Sequence, residues 1–291
     1  MIQAESVARE IKQVCPGLEI VIVKIVTEGD RNRSLSIDLT GDIGIFVKAL
    51  EEALLNRSID IAVHSLKDLP TILPQQLCLA AVTERLDPRD AIVACSPLAD
   101  LYPGSKIGTG SLRRAAQLKH LRPDLEVCGI RGNVDSRLRR VSSGQLQGVI
   151  VAAAALLRLG LSGKITGHLP LESFLPAAGQ GALAIEAREG DGRVEEIIGP
   201  INHLPTWREI TAERAFVHTV EGGCRAPIAA LATEHGDIMQ IQAMVSDREG
   251  AVIMRDTYQG SSNLPQEAGE KLALRMLKAG AAGLIKDARC R

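Results

Sequence analysis

Residues 106–114 have the sequence Lys-Ile-Gly-Thr-Gly-Ser-Leu-Arg-Arg, and this stretch decides the fold class. A short apolar strand over residues 106–108 runs into a glycine-rich turn, and apolar residues then recur at helical spacing over residues 112–121. A direct passage from a buried strand into a capped helix is typical of α/β proteins. We therefore predict an α/β domain built around this turn.

The same alternation of strands and helices extends on both sides of the turn. Residues 18–26 are a nearly continuous, β-branched apolar run, which predicts a strand buried on both faces of a parallel sheet. Two similar α/β units in tandem are implied. The other predicted strands are 59–63, 77–82, 91–94, 125–130 and 148–152, and the other predicted helices are about 7–14, 44–57 and 134–141.

The sequence pattern changes after about Asn202. A predicted helix over residues 206–220 is followed by three closely spaced strands at 228–232, 238–246 and 251–259. Short turns between strands argue for an antiparallel sheet, and a last predicted helix over residues 265–279 would cover one of its faces. We expect an α+β domain with a three-stranded antiparallel sheet.

Composition excludes several classes of function. The 291 residues are enough for two or three domains, and 34 Lys plus Arg against 35 Asp plus Glu give no global attraction for a polyanion. Aromatic residues make up 2%, too few for stacking platforms, so we expect no nucleic-acid partner. No apolar run approaches the roughly 20 residues of a membrane span, and the first residues lack a secretory signal, so we expect a cytoplasmic protein.

The six cysteines are scattered without a C-x-x-C pair. This spacing indicates neither a disulfide framework nor a metal site. Cys224 differs from the others because it follows Gly222-Gly223 on a loop between a predicted helix and a predicted strand. We expect its thiol to be accessible and open to alkylation, whereas the other five are expected to be inert.

Two glycine-rich turns are candidate anion sites. The first carries Thr109, Ser111, Arg113 and Arg114, and the second, over residues 130–137, carries Arg131, Gly132 and Arg137. Helix N-terminal amides and arginines bind carboxylates or phosphates, and ligands of open α/β sheets lie beyond the carboxyl ends of strands. The alternative is a capped helix start with solvated arginines.

The strand over residues 59–63 ends abruptly in polar side chains. His64, Lys67 and Asp68 follow it within five residues. Lys67 and Asp68 could form a surface ion pair, and His64 could be a satisfied core residue. Alternatively, a carboxylate facing an arginine-rich cleft could stabilise a cation that forms while an amine departs. The sequence leaves these options open.

Six ordered motifs together resemble one family, the porphobilinogen deaminases. They are His64-Ser65-Leu66-Lys67-Asp68, Asp87-Pro88-Arg89-Asp90, Ser111-Leu112-Arg113-Arg114, Arg131-Gly132-Asn133, Ala178-Gly179-Gln180-Gly181 and Gly222-Gly223-Cys224. The resemblance implies two α/β domains like those of periplasmic binding proteins (type II), plus the C-terminal α+β domain. It places domain 1 at residues 1–84 with 182–199, domain 2 at 87–177 and domain 3 at 203–291.

The resemblance also implies the chemistry. Such an enzyme is a monomeric transferase that carries a dipyrromethane cofactor, thioether-linked here to Cys224, and needs no metal. It adds four porphobilinogen molecules with loss of ammonia, and hydrolysis releases hydroxymethylbilane for tetrapyrrole synthesis. Asp68 matches the catalytic carboxylate. The residues that match the family's cofactor contacts are Lys67, Thr109, Ser111, Arg113, Arg114, Arg131 and Gly132. Those that match its substrate contacts are Arg137, Arg158 and Gln180.

The chain departs from the family pattern in three places. The family opens with a strand ending in Arg-x-Ser, whereas the first predicted element here is a helix. The family's lid motif Gly-Gly-Lys-Gly is replaced by Gly41-Asp42-Ile43-Gly44, and Gly110 stands where a second hydroxyl is common. The missing first strand and the altered lid leave a truncated or impaired deaminase paralogue as one alternative. The other is a two-lobed anion-binding module, because the same architecture binds small anions without chemistry. The second has no use for Cys224 or for a third domain.

Overall fold

The protein is described here by a computed structural model covering residues 1–25, 42–220 and 226–289, with the backbone alone at 42–46 and 289. The chain forms two compact units. Unit 1 consists of Met1–Arg85 and Ala182–Trp207, and unit 2 consists of Leu86–Gly181 and Arg208–Arg291. Each unit is therefore assembled from two separate stretches of chain. The boundaries of the three expected domains stay a prediction.

Helices and strands alternate along most of the chain. In chain order the helices are α1 (Ile2–Val14), α2 (Asp42–Leu55), α3 (Leu112–Leu121), α4 (Val134–Ser142), α5 (Ala153–Arg158), α6 (Gly192–Ile198), α7 (Leu204–Thr219), α8 (Pro265–Met276) and α9 (Ala282–Arg289). The strands are β1 (Ile61–Ser65), β2 (Leu77–Val82), β3 (Asp90–Ala94), β4 (Lys106–Thr109), β5 (Glu126–Gly129), β6 (Gly148–Ala152), β7 (Gly167–His168), β8 (Leu183–Arg188), β9 (Ile228–His235), β10 (Ile238–Ser246) and β11 (Ile253–Ser261).

Unit 1 is built on a three-stranded sheet of order β1-β8-β2, in which β8 pairs antiparallel with both neighbours. One face of β8 packs its apolar residues against Val7 and Ile11 of α1. The opposite face of the sheet packs Ala62 against Leu54 of α2. Alternate residues of a strand point to opposite faces, so each helix covers one side of this sheet.

The strand predicted over residues 18–26 is wrong for residues 18–25, which form no strand and belong to no sheet, and residue 26 lies outside the described part of the chain. Leu18 and Ile20 contact the unit 1 core, whereas Val21 and Val23 are exposed by 74% and 52%. Among the described residues no strand lies beside this segment, and an extended run without a hydrogen-bonding neighbour does not form a ladder.

Unit 2 contains the sheet that carries the two glycine-rich turns. Its strand order is β5-β4-β6-β3-β7, with β4 parallel to both β5 and β6 and with β3 antiparallel to β6 and β7. Apolar residues on its two faces form separate clusters, one around Val149 and Leu156 and one around Ile107 and Phe174. The predicted α/β class is confirmed for this part of the chain.

The C-terminal part of unit 2 is the predicted antiparallel sheet, of order β11-β10-β9. Phe216 of α7, Leu272 of α8 and Ile285 of α9 pack with residues of β9 and β10 in one core cluster. The prediction of a C-terminal α+β element with three antiparallel strands is thus confirmed. None of the described helices is both long and apolar enough to cross a membrane.

Candidate active site

Side chains of the turn between β4 and α3 accept hydrogen bonds from the backbone N–H groups at the start of α3. Thr109 Oγ1 accepts a hydrogen bond from the Ser111 backbone N–H at 3.2 Å, and Ser111 Oγ accepts one from the Arg114 backbone N–H at 3.4 Å. Ser111 is thus the N-cap residue of α3. A β-carbon at Gly110 would lie 2.6 Å from the Ile130 carbonyl oxygen, so this turn is pressed against the turn that follows β5.

Arg113 and Arg114 point into unit 2 and bind Asp90, the first residue of β3. Arg113 Nη1 donates to Asp90 Oδ2 at 2.7 Å, and Arg114 Nε and Nη2 donate to Asp90 Oδ1 at 2.9 and 2.7 Å. Both arginines are 5% exposed, and Asp90 is fully buried. Burial by itself raises the pKa of Asp90, but the charges and hydrogen bonds of Arg113 and Arg114 outweigh it and hold that pKa well below its ordinary range.

Gln180 joins the same buried cluster from the turn that precedes β8. Its Nε2 donates to Asp90 Oδ1 at 2.9 Å and to the Pro88 carbonyl oxygen at 2.7 Å, and its Oε1 accepts from Arg114 Nη2 at 3.4 Å. Arg158 reaches this turn too, because its Nη2 donates to the Gly181 carbonyl oxygen at 2.6 Å. The structure therefore brings together four of the predicted site residues.

The turn between β5 and α4 holds the second group of predicted residues. Gly132 has a φ of +108°, and a β-carbon there would lie 2.2 Å from Ser136 Oγ, so the turn requires glycine. Asn133 caps α4 by accepting a hydrogen bond from the Ser136 backbone N–H at 2.9 Å. Arg137 Nε donates to the Gly132 carbonyl oxygen at 2.8 Å, and Arg131 is exposed.

The two turns are neighbours because β4 and β5 are parallel and paired. Thr109 lies opposite Gly129 in the register, and the Ile130 backbone N–H donates to the Thr109 carbonyl oxygen at 3.3 Å. Both chains leave the sheet at its carboxyl edge, where each enters a helix. The starts of α3 and α4 are thus neighbours, with Ser111 at one and with Arg131 and Arg137 at the other, whereas Arg113 and Arg114 point inward.

Lys67 and Asp68 lie in unit 1, in a single 3₁₀ turn (Leu66–Asp68) directly after β1. Both side chains are half-buried, and Leu66 anchors the turn in the core. Two residues earlier, His64 Nε2 lies 2.8 Å from Glu186 Oε2 of β8 in a fully buried pair. His64 is therefore a core residue with a carboxylate partner, one of the options that the sequence leaves open.

Two buried carboxylates, Asp90 and Glu186, were given no role in the sequence analysis, although Asp90 belongs to one of the six motifs. Asp90 opens the apolar run of residues 90–94, and Glu186 interrupts the apolar strand β8. A charged residue inside a buried apolar run is rare unless it is paired. The positions of Asp90 and Glu186 within apolar strands were therefore the sequence signal that each has a buried partner. Three other predictions lie outside the described residues: the accessible thiol of Cys224, the inert thiol of Cys290, and the lid motif at residues 41–44, whose side chains are not described.

Comparison with known proteins places the chain in a family. Residues 1–196 match the family model "Porphobilinogen deaminase, dipyromethane cofactor binding domain", and residues 207–278 match "Porphobilinogen deaminase, C-terminal domain". The chain belongs to the porphobilinogen deaminase family. The predicted family and its dipyrromethane cofactor are thereby confirmed.

Curated relatives of this name are similar over nearly their whole length. The porphobilinogen deaminase of Pelobacter propionicus is 43% identical over 286 residues, which cover 98% of this chain and 92% of that protein. That of Moorella thermoacetica is 42% identical over 288 residues, again covering 98% and 92%. These relatives identify the chain as an enzyme of tetrapyrrole synthesis.

Among solved structures, an extracellular-binding protein of a probable amino-acid ABC transporter, ytmK from Bacillus subtilis, aligns with a TM-score of 0.39 at 11% identity. The alignment covers 69% of this chain and 79% of that one. At a score below 0.5 this likeness adds nothing to the strand order given above.

The donor set of the two turns fits a dipyrromethane of this family, whose pyrroles carry acetate and propionate chains. Ser111, held by the buried Thr109, has a hydroxyl group at one helix start, and Arg131 and Arg137 have guanidinium groups at the neighbouring one. Such donors bind carboxylates and phosphates. The part of the chain that the structure describes contains no cluster of three or more His, Cys, Asp or Glu residues that could hold a metal ion.

Proposed function

We propose that this chain is a transferase that joins four porphobilinogen molecules head to tail, releases ammonia at each joining, and frees hydroxymethylbilane by hydrolysis. The near full-length match to the porphobilinogen deaminases carries this proposal. Dipyrromethane, bound through a thioether to Cys224, supplies the pyrrole on which the chain of pyrroles is begun. The remaining steps depend on the protein's own side chains.

The carboxylates of the substrate are bound by the arginines of unit 2. Arg137 lies near the start of α4, and Arg158 donates a hydrogen bond to the turn that holds Gln180, the third candidate substrate contact. A planar guanidinium can bind a carboxylate through two parallel hydrogen bonds, which fixes the orientation of the pyrrole ring.

Arg113 and Arg114 act from inside the protein. Together with Asp90 they form a buried cluster of net charge +1 beneath the residue 109–111 turn, where Ser111 carries a hydroxyl group and the buried Thr109 holds the turn by accepting the Ser111 N–H. A fixed positive charge at a helix start stabilises an anion there. These residues, with Arg131, Gly132 and Lys67, are our candidates for holding the cofactor.

Asp68 is the candidate catalytic residue. Its carboxylate would accept hydrogen bonds from pyrrole N–H groups and stabilise the positive charge that develops as ammonia leaves. The short turn after β1 holds it on a rigid strand end. A preorganised carboxylate of this kind contributes through electrostatic stabilisation of the transition state.

We also propose that the enzyme works as a monomer in the cytoplasm. Cys15, Cys78, Cys95 and Cys128 are free thiols, as expected in a reducing compartment. Size-exclusion chromatography with light scattering tests the oligomeric state, and a mass of about 31.1 kDa is expected.

The deciding experiment is an intact-mass spectrum of the purified chain beside Cys224→Ser, with Cys95→Ser as the control for loss of an exposed thiol. The wild type and the control should be heavier by two linked pyrrole units and should release ammonia from porphobilinogen. Cys224→Ser should have the unmodified mass. A wild-type chain that is unmodified and inactive would contradict the proposal and favour an impaired paralogue. A chain that then binds porphobilinogen without consuming it would favour an anion-binding module.

A further inference from the structure

A buried carboxylate in unit 2 has no part in the function proposed so far. Glu213 lies near the middle of α7 and is 0% exposed. An ionised carboxylate is costly to bury unless hydrogen bonds compensate its lost hydration. Its partners therefore show which parts of the structure it stabilises.

Glu213 binds two backbone amides from two other elements. Its Oε2 accepts a hydrogen bond from the Gly179 N–H at 2.6 Å, and its Oε1 accepts one from the Ala232 N–H of β9 at 2.8 Å. Charge-assisted bonds of this length are stronger than neutral ones. One carboxylate thus ties α7, β9 and the residue 177–181 turn together.

The residue 177–181 turn is the one that positions two candidate ligand-binding side chains. Gly179 has a φ of +73° and Gly181 a φ of +100°, and the Gln180 N–H donates to the Ala177 carbonyl oxygen at 3.0 Å. From this turn Gln180 reaches Asp90, and Arg158 binds the Gly181 carbonyl oxygen. A shift of the turn would move both side chains.

The other two elements flank the cofactor cysteine in sequence. Helix α7 ends at Thr219 and strand β9 begins at Ile228, and Cys224 lies between them in the chain. Glu213 holds these two flanks to each other through Ala232 and holds both to the turn through Gly179.

We propose that Glu213 is a positioning residue of the deaminase reaction, acting through the residue 177–181 turn on Gln180 and Arg158. This inference rests on the function proposed above. It predicts that loss of one carboxylate oxygen disturbs substrate alignment more than it disturbs folding, because the turn lies at the ligand side chains while the hydrophobic core of the C-terminal sheet is untouched.

The test compares Glu213→Gln with Glu209→Gln. Glu209 lies one turn earlier on α7 and accepts a hydrogen bond from the Glu234 N–H of β9 at 3.2 Å, so the control weakens the same helix-to-strand contact with the same chemical change. We expect kcat/KM for porphobilinogen to fall about 10- to 100-fold in Glu213→Gln, since small misplacements cost this much. Glu209→Gln should lose little.

Two further measurements separate positioning from general destabilisation. Hydrogen–deuterium exchange in a peptide spanning Gly179 should rise in Glu213→Gln and stay unchanged in Glu209→Gln. In a double-mutant cycle, Gln180→Ala should lower kcat/KM less in the Glu213→Gln background than in the wild type, because the two residues act through one turn.

Equal activity losses in the two Gln variants, in proportion to their unfolding midpoints, would overturn the proposal, as would unchanged exchange at Gly179. If the wild type carries no pyrrole mass and releases no ammonia, the proposed function fails. The exchange measurement then still decides whether Glu213 holds the turn.

Discussion

Arg114 donates two hydrogen bonds to a single oxygen of Asp90, from Nε at 2.9 Å and from Nη2 at 2.7 Å. The second oxygen is bound by Arg113, so one carboxylate balances two guanidinium groups inside unit 2. Arg113 and Arg114, the charged residues beneath the residue 109–111 turn, are therefore held in place by a residue 23 and 24 positions earlier in the chain.

Removing the charge of Asp90 should destabilise unit 2. In Asp90→Asn two buried guanidinium groups lose their counter-charge, and breaking a buried ion pair in this way costs about 3–5 kcal/mol of unfolding free energy. Urea denaturation followed by circular dichroism measures the loss. Asp124→Asn is the matched control, because Asp124 makes a similar two-bond contact to Arg122 on the surface. Equal losses of unfolding free energy in the two variants would show that the buried ion pairs of Asp90 stabilise the protein no more than a surface ion pair does.

Asp90 should also make the stability of unit 2 depend on pH. Its pKa in the folded protein lies below that of an unfolded aspartate, so the unfolded state binds a proton first as the pH falls. The contribution is fully present well above the ordinary aspartate pKa of about 4, and it is lost progressively as the pH falls from there towards the lower pKa of the folded protein. Urea midpoints measured from pH 7 to pH 3 should fall more steeply at the acid end in the wild type than in Asp90→Asn. Parallel curves would show that Asp90 does not titrate in this way.

Loss of the Asp68 charge should slow turnover without removing the cofactor. If its carboxylate stabilises a developing cation, Asp68→Asn should lower kcat about 100- to 1,000-fold. The intact mass should still show the two pyrrole units. Asp60→Asn, just before β1, changes an exposed carboxylate that pairs with Arg188 and should retain activity. An active Asp68→Asn enzyme would remove Asp68 from the proposed mechanism.

His64 and Glu186 should show strong energetic coupling. His64→Phe leaves the Glu186 carboxylate buried without its partner, and Glu186 Oε1 already has no hydrogen-bond partner in the described structure. The pKa of the nearby Glu51 is raised, mainly by burial and secondly by the charge of Glu186. This region of the protein therefore already disfavours negative charge. The double variant His64→Phe/Glu186→Leu should therefore be at least as stable as His64→Phe alone.

A urea-unfolding cycle of wild type, both single variants and the double variant measures this coupling. Additive losses would indicate that the two side chains stabilise unit 1 independently. The His64→Phe variant with an unchanged midpoint would mean that the buried carboxylate is satisfied in some other way.

The sequence predicts local structure well where apolar patterns are bounded by turns. The elements over residues 112–121, 148–152 and 238–246 have the predicted limits, because periodicity and flanking turn residues are local signals. Residues 18–25 have an equally strong apolar pattern. A strand also requires a neighbouring strand to pair with, and a local sequence pattern does not show whether one is present.

The candidate site, like the fold, was predictable from the sequence only in its local parts. The two turns and their arginines follow from glycine placement and strand ends. Their partners do not, because Asp90 and Gln180 reach Arg114 across 24 and 66 positions of sequence through the sheet order of unit 2. Pairings at such separations depend on topology, which periodicity does not encode.

The strand order β1-β8-β2 determines when the sheet of unit 1 can form during synthesis on the ribosome. Its central strand is synthesised about 100 residues after β2, which takes roughly 5–20 s at ordinary translation rates. Until then β1 and β2 have no strand between them, and their backbone groups are open to pairing with other nascent chains. How soon residues 183–188 pair with β1 and β2 therefore affects how much of the newly made protein reaches its native state.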